Sequence, residues 1–486
     1  LYSTSIRKAK KAFITNRLLF VPSTLANIPA FLTSLGYETY FIEHHQDKVA
    51  YILHKILESA TFDPNFTSGG YSNLNQKHLE EMLGPKYTQT ILRILLDSGV
   101  IECDGQYIPK KKSLGYRVAN QYKSTAIGLS IFKQEVLGKK LDSWSKAQKK
   151  AIKKCCFLKS VYQDIKDICI NTSAATALIT SIYNQTTKFI KSNIDSLSHR
   201  KLDKKKYAAL QETAKTERYI NLPSIKALRK SLKKQSNSTI YELLMDSAMH
   251  SYNANIISIN EIGSQDFRMP KRPIEGSRIY TVLTNLSREL RQFLYHAKYP
   301  NESLVNIDIK NSQPFLASIL LVKQYEGWVL PADVQRYIEL TSKGIFYNYM
   351  AGLMHKPYNT QKERKDFKQS FFANIFFCKQ LHTENSKAGK IFQSYFPNVS
   401  SLLSLHKEKC FKDLALTMQY TEAQIMLDTI VKSLQKNKIW CASIHDSIVC
   451  LKRDKDFVTN VILDAFRNKF NLVPSVDEEL WIRPEM

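Results

Sequence analysis

The sequence predicts a mainly helical α+β fold, and three observations predict it. The apolar run Leu304-Val305-Asn306-Ile307-Asp308-Ile309 reads as a strand that delivers one carboxylate, Asp308. Far downstream, the apolar stretch Trp440–Leu451 is interrupted by His445-Asp446, as two strands joined by a tight turn would be. Before and between these runs, apolar residues recur at helical spacing among many lysines.

Bulk composition bounds what such a fold meets. The chain has 486 residues, enough for several domains, and its 43% apolar content supports real cores. The formal net charge of +26 favours a polyanionic partner, nucleic acid first. No apolar run approaches the roughly 18 residues of a membrane span, so no membrane partner is expected. The eight cysteines are scattered, with only Cys155-Cys156 adjacent and no C-x-x-C pair. That usage argues against a structural zinc site and fits a reducing, cytoplasmic setting. The chain opens at Leu1 with neither a secretory nor a transit pattern.

Residues 1–46 join a basic start (Arg7 to Lys11) to an apolar-aromatic stretch and suggest no role. Asp47–Ala60 reads as an amphipathic helix with Val49, Ile52, Leu53, Ile56 and Leu57 on one face. A polar loop (Thr67–Asn73), a short helix (Asn75–Leu83), the break Gly84-Pro85 and a second helix (Tyr87–Ser98) follow. Strands at 100–103 and 106–108 would flank an Asp104-Gly105 turn. The layout of 47–118 resembles a winged helix-turn-helix. That resemblance implies Lys86–Arg93 in a major groove and Lys110-Lys111-Lys112 on phosphate, with packing or protein docking as the alternative. Residues 119–270 look helical and very basic, with lysine-rich runs at Lys139–Lys154, Arg200–Lys206 and Lys226–Lys234. Such a block can grip nucleic-acid backbone, although each single lysine is most simply a solvated charge. From 271 to 486 strands and helices alternate.

Two aspartates on adjacent strands can hold two divalent ions about 3.5–4 Å apart, the arrangement for in-line attack on a phosphate. Asp308 ends its strand, and the neighbouring Ile309 carbonyl can add a ligand. Asp446 sits at a hairpin tip. Between them Arg364, Lys368, Phe372 and Phe376 recur at four-residue spacing, two cations and then two aromatics. On one helix face they would clamp a triphosphate and stack a base. Taken alone, the same helix reads as amphipathic, with Phe inside and Lys outside.

Together the three elements resemble the palm and fingers of family A DNA polymerases and the related single-subunit phage-type RNA polymerases. The resemblance covers about residues 274–452. It implies a right-hand fold of palm, fingers and thumb, with 119–270 as the thumb-like region, 271–486 as the core and the winged helix ahead of both. It implies Asp308 and Asp446 as catalytic metal ligands, with Ile309, and two Mg²⁺ ions, Mn²⁺ being the alternative. It implies Arg364, Lys368, Phe372, Phe376 and Gln313 around the nucleoside triphosphate. Weaker matches at Arg278, Asn285, Arg291 and Gln419, with His445 of the hairpin, would contact primer-template. Ser447 stands where the DNA enzymes carry Glu after the hairpin aspartate, and Phe377 where Gly is usual. No proofreading domain or paired-carboxylate exonuclease motif is visible.

The expected activity is template-directed nucleotidyl transfer, most simply by a DNA polymerase. An RNA polymerase or primase of the same fold, a non-catalytic replication initiator, and another two-metal phosphoryl transferase such as a nuclease are the alternatives. Phe376, which lacks a hydroxyl to meet a 2′-OH, argues for deoxynucleotides. Gln313 and Ser447 leave ribonucleotides open.

Overall fold

The computed structural model describes residues 17–62, 70–109, 112–152, 155–217, 220, 222–235, 237–266, 268–274, 276–408 and 410–482. Two compact units divide the chain. The first comprises Leu1–Ile152, Ile170–Arg268 and Asn285–Leu290, and the second Lys153–Cys169, Met269–Thr284 and Arg291–Met486.

In the first unit a strand, Leu18–Pro22, pairs antiparallel with Ala126–Ser130, from Leu18↔Ser130 to Pro22↔Ala126. The principal helix runs Thr39–Phe62, starting before the expected Asp47, and buries Val49, Ile52, Leu53 and Ile56. Leu19, Val21, Leu25, Ile28 and Leu32 lie in the same core. Residues 17–46 therefore belong with the helical block that follows. A separate N-terminal segment was expected, because a short strand whose partner lies so far along the chain has no local signature.

Helices Gln76–Leu83 and Pro85–Asp97 meet at Gly84, whose φ of +94° suits glycine and strains other residues. A three-stranded sheet follows, ordered Ser72–Asn73, Gly115–Val118, Ile101–Cys103. The strand after Ile101–Cys103 is thus not 106–108. The Asp104 carboxylate accepts from the backbone N–H of Gln106 at 3.0 Å and of Gly115 at 2.9 Å, opening a wide loop in place of a two-residue turn. A Cβ on Gly115 would lie 2.5 Å from that carboxylate, so glycine is required there. Lys112, expected on phosphate, donates to Asp104 (2.7 Å) and Gln106 (2.9 Å) within the loop. Lys110 and Lys111 lie outside the described residues.

The rest of this unit is helical. Tyr207, Leu228, Leu243 and Leu244 form a second core. Helix Ile225–Lys234 buries Leu228 and Ser231 and exposes Lys226, Arg229, Lys230, Lys233 and Lys234.

The second unit is built on a four-stranded antiparallel sheet, ordered Val476–Trp481, Leu304–Ile309, Ser447–Leu451, Cys441–Ile444. Helix Lys455–Phe470 packs behind it through Val458, Ile462 and Phe466, and the Phe466 ring meets Phe315 of helix Ser312–Gln324 at 5.5 Å. Helix Cys156–Lys166 belongs here, although the sequence reads 119–270 as one basic block. The Asp164 carbonyl accepts from Trp440 Nε1 at 2.9 Å, and its carboxylate accepts from Gln435 at 3.0 Å. Further helices surround an aromatic core of Tyr337, Phe346, Phe371, Phe392 and Phe396. No helix among the described residues is long and apolar enough to cross a membrane.

Candidate functional site

The strand Leu304–Ile309 is buried at every position except Asp308, which is half-buried. Its register sets Asp308 opposite Ser447 on one side and Asp477 on the other. Ser447 directly follows Asp446, so both expected aspartates emerge at the same end of neighbouring strands. The hairpin reverses at His445, whose φ of +57° is left-handed and costs on the order of 1 kcal/mol for a non-glycine residue.

Asn311 is also left-handed, with φ +52°, and turns the chain from the strand into helix Ser312–Gln324. The first residue of that helix fastens the hairpin: Ser312 Oγ donates to Asp446 Oδ2 at 2.5 Å. The next reaches the other way, with Gln313 Nε2 donating to Glu422 Oε2 at 3.1 Å. Glu422 lies on helix Asp413–Ile425 and is 1% exposed. It receives both Nε and Nη2 of Arg278, at 2.6 and 2.7 Å. Burial pushes the Glu422 carboxyl up, and its hydrogen bonds from Arg278 oppose that push.

Electrostatics mark Asp308 as the centre. Burial first, then the charge of Asp446 and more weakly that of Asp477, push its carboxyl up to about 7. The Ile309 backbone N–H and the Lys368 ammonium act against them. Asp308 Oδ1 is buried without a hydrogen-bond partner. A carboxylate crowded by other carboxylates, with an unused buried oxygen, fits a divalent cation. The donor set is sparse: among the described residues no three His, Cys, Asp or Glu side chains cluster as a metal cage. The carboxylates that the sheet places side by side here are Asp308 and Asp446. Ser447 is 4% exposed, with its Oγ donating to the Ile444 carbonyl at 3.0 Å. Asp477 is exposed and paired with Lys310 at 2.8 Å. Burial and the charges of Arg278 and Arg291 push the His445 imidazole down, and the charge of Asp446 opposes them.

The basic helix spans Gln361–Phe371 and begins with a capping box, Thr360 with Glu363. At Phe372–Phe376 it widens into a π-type turn, which ends the four-residue register. Phe376 consequently turns inward. It is fully buried against Phe371 (5.8 Å) and Phe372 (5.9 Å) and offers no face to a base or sugar. Phe377, which the sequence marks only as a departure from glycine, is 39% exposed and stacks on Phe372 at 5.1 Å. Arg364 is exposed, with Nε donating to the Tyr358 carbonyl at 3.2 Å. Lys368 is half-buried, 5.4 Å from the centre of the Tyr347 ring, and its charge acts on Asp308.

The second unit thus brings together Asp308, Ile309, Asp446, Gln313, Arg278, His445 and Lys368, with Arg291 acting on His445. Arg278 was expected on primer-template, but its guanidinium is committed to Glu422. Gln419 is half-buried on the helix of Glu422, three residues before it. Asn285 is exposed and belongs to the first unit. Sequence reasoning missed Glu422 and Ser312 as functional neighbours. Glu422 had a signal, a carboxylate among Met418, Ala423 and Ile425; Ser312 had none.

No family model and no curated protein matches the sequence. Among solved structures the chain is similar to the POL domain of Pol1 from M. smegmatis in complex with DNA primer-template and dNTP. The identity is 12%, over 72% of this chain and 73% of that one, with a TM-score of 0.43. A likeness at that level assigns no activity.

Proposed function

We propose that the chain is a template-directed nucleotidyl transferase that extends a primer, with a DNA product as the first reading. The observation that carries this is Asp308: a strand-end carboxylate beside Asp446, with a buried oxygen unused. Bound there, two Mg²⁺ ions would neutralise and align a triphosphate and an attacking 3′-hydroxyl. Asp308, Asp446 and the Ile309 carbonyl would hold the cations. Ser312 fixes the Asp446 carboxylate in place. Lys368, whose charge acts on Asp308, suits a phosphate oxygen, while Arg364, which is exposed, meets the same triphosphate.

Sugar choice falls to Gln313, since Phe376 could act on a ribose only through a ring that reached it, and that ring is buried. The Gln313 amide nitrogen is spent on Glu422, so its carbonyl oxygen is the group left to meet a sugar. A carbonyl accepts from a 2′-hydroxyl, which favours ribonucleotides as a second reading. The first unit, on this proposal, carries a winged-helix-like module that lays Lys86, Gln89 and Arg93 along duplex DNA, and its basic helices hold backbone phosphate.

The deciding experiment is extension of a primed template with all four dNTPs, or all four NTPs, and Mg²⁺. Incorporation with one set and none after Asp308→Asn supports the proposal. No incorporation with either set, on DNA and RNA templates alike, overturns it.

A further inference from the structure

The helix Thr39–Phe62 has two stripes. One, through Ile42, Val49, Ile52, Leu53 and Ile56, is buried. The other is aromatic where a surface helix ordinarily carries charge. Tyr37, just ahead of the helix, stacks on Phe41 at 4.3 Å, with the ring planes 15° apart. Phe41 stacks on His45 at 4.0 Å and 8°, and His45 meets the edge of Tyr87 at 5.5 Å. A second row sets Tyr40 on His44 at 4.2 Å.

Tyr37 and Phe41 are half-buried against the core, and the outer rings reach solvent. Tyr40 is 74% exposed and Tyr87 46%. Phe132, 57% exposed, is brought to the same helix by Asp47, whose carboxylate accepts from the backbone N–H of Phe132 and of Lys133 at 2.8 and 2.7 Å. Cations border the rings. Lys48 Nζ stands 4.8 Å from the Tyr87 ring centre, and Lys133 and Lys140 are close enough for their charges to act on it. Of the carboxylates on this helix, Asp47 is occupied by backbone amides, while Glu43, three residues after Tyr40, is exposed.

Exposed aromatic rings bordered by lysines suit an unpaired nucleic-acid strand. Each base offers a π-face that a duplex hides, and its phosphates meet the cations. We propose that the stripe from Tyr40 to Tyr87, with Phe132, is a stacking platform for single-stranded nucleic acid. It is distinct from the duplex face formed by Lys86, Gln89 and Arg93 and from the Asp308 site. Its existence does not depend on the nucleotidyl-transfer reading.

The test titrates a labelled oligothymidylate, and separately a duplex of the same length, into the full chain. Tyr40→Ala and Phe132→Ala should each weaken single-strand binding by roughly five- to a hundredfold and leave duplex binding nearly unchanged. Tyr40→Trp should retain or tighten it. Lys133→Ala with Lys140→Ala should lower the slope of log affinity against log salt by about one. Asp308→Asn should bind the single strand like the unaltered protein, which separates this site from the catalytic proposal. Unchanged single-strand affinity in both ring variants overturns the platform. So does an equal loss on duplex and single strand.

Discussion

At the scale of single residues, Asp308 decides the proposed chemistry. Asp308→Asn and Asp446→Asn should each lower incorporation by orders of magnitude while leaving primer-template affinity nearly intact. Single-nucleotide extension, run beside an anisotropy titration, checks both halves. The raised carboxyl of Asp308 also has a stability signature. A group whose folded-state value lies near 7, above its ordinary 3.8, stabilises the fold below about pH 4, and that contribution is lost as pH rises through 7. Asp308→Asn carries no such dependence. In chelator it should therefore gain on the unaltered protein with rising pH, by up to about 4 kcal/mol above pH 7. Thermal melts of the two proteins at pH 5 and pH 8 measure the gap. Mg²⁺ added at pH 8 should raise the melting temperature of the unaltered protein and leave Asp308→Asn almost unmoved.

At the scale of elements, the basic helix divides its two cations between unequal tasks. The Lys368 charge acts on Asp308, and Arg364 donates to the Tyr358 carbonyl. Lys368→Ala should lower kcat/KM for the nucleotide more than Arg364→Ala, a charge-assisted hydrogen bond being worth roughly 1.5–3 kcal/mol. Because the Lys368 charge holds Asp308 down, its removal should also move the acidic limb of the pH–rate profile upward. An unmoved limb would detach Lys368 from the carboxylate. The helix shows where sequence reading succeeds and where it fails. The spacing of Arg364 and Lys368 marked one face, but it carried no sign of the π-type turn that turns Phe376 inward. The two aspartates were legible because apolar runs framed them. The edge strand Val476–Trp481 was not, because Asp477, Glu478 and Glu479 gave it the composition of a loop. The Glu422–Arg278 pair was hidden because its partners are far apart in the chain.

At the scale of the whole molecule, the proposal makes charge the source of nucleic-acid affinity. The five exposed cations of Ile225–Lys234 stand on one short helix, with no carboxylate among them. Replacing Lys226, Arg229, Lys230 and Lys233 by Ala should weaken binding to all sequences alike. It should flatten the salt dependence by about 0.9 for each duplex phosphate that the helix no longer neutralises. Titrations at several salt concentrations, on two unrelated duplexes, read both effects. A loss confined to one duplex would mean base recognition in place of backbone grip.

The order of strands in the sheet that carries Asp308 bears on how the protein is made. The strand Leu304–Ile309 lies inside that sheet, yet both of its neighbours come from much later in the chain. During synthesis it leaves the ribosome long before Ser447–Leu451, and longer still before Val476–Trp481. Until then Leu304, Val305 and Ile307 have no sheet to enter, and both strand edges stand open. A nascent chain held at that stage is a ready target for chaperones and for self-association. Slowing translation just before residue 440 should therefore lower the yield of active protein more than an equal delay after residue 481.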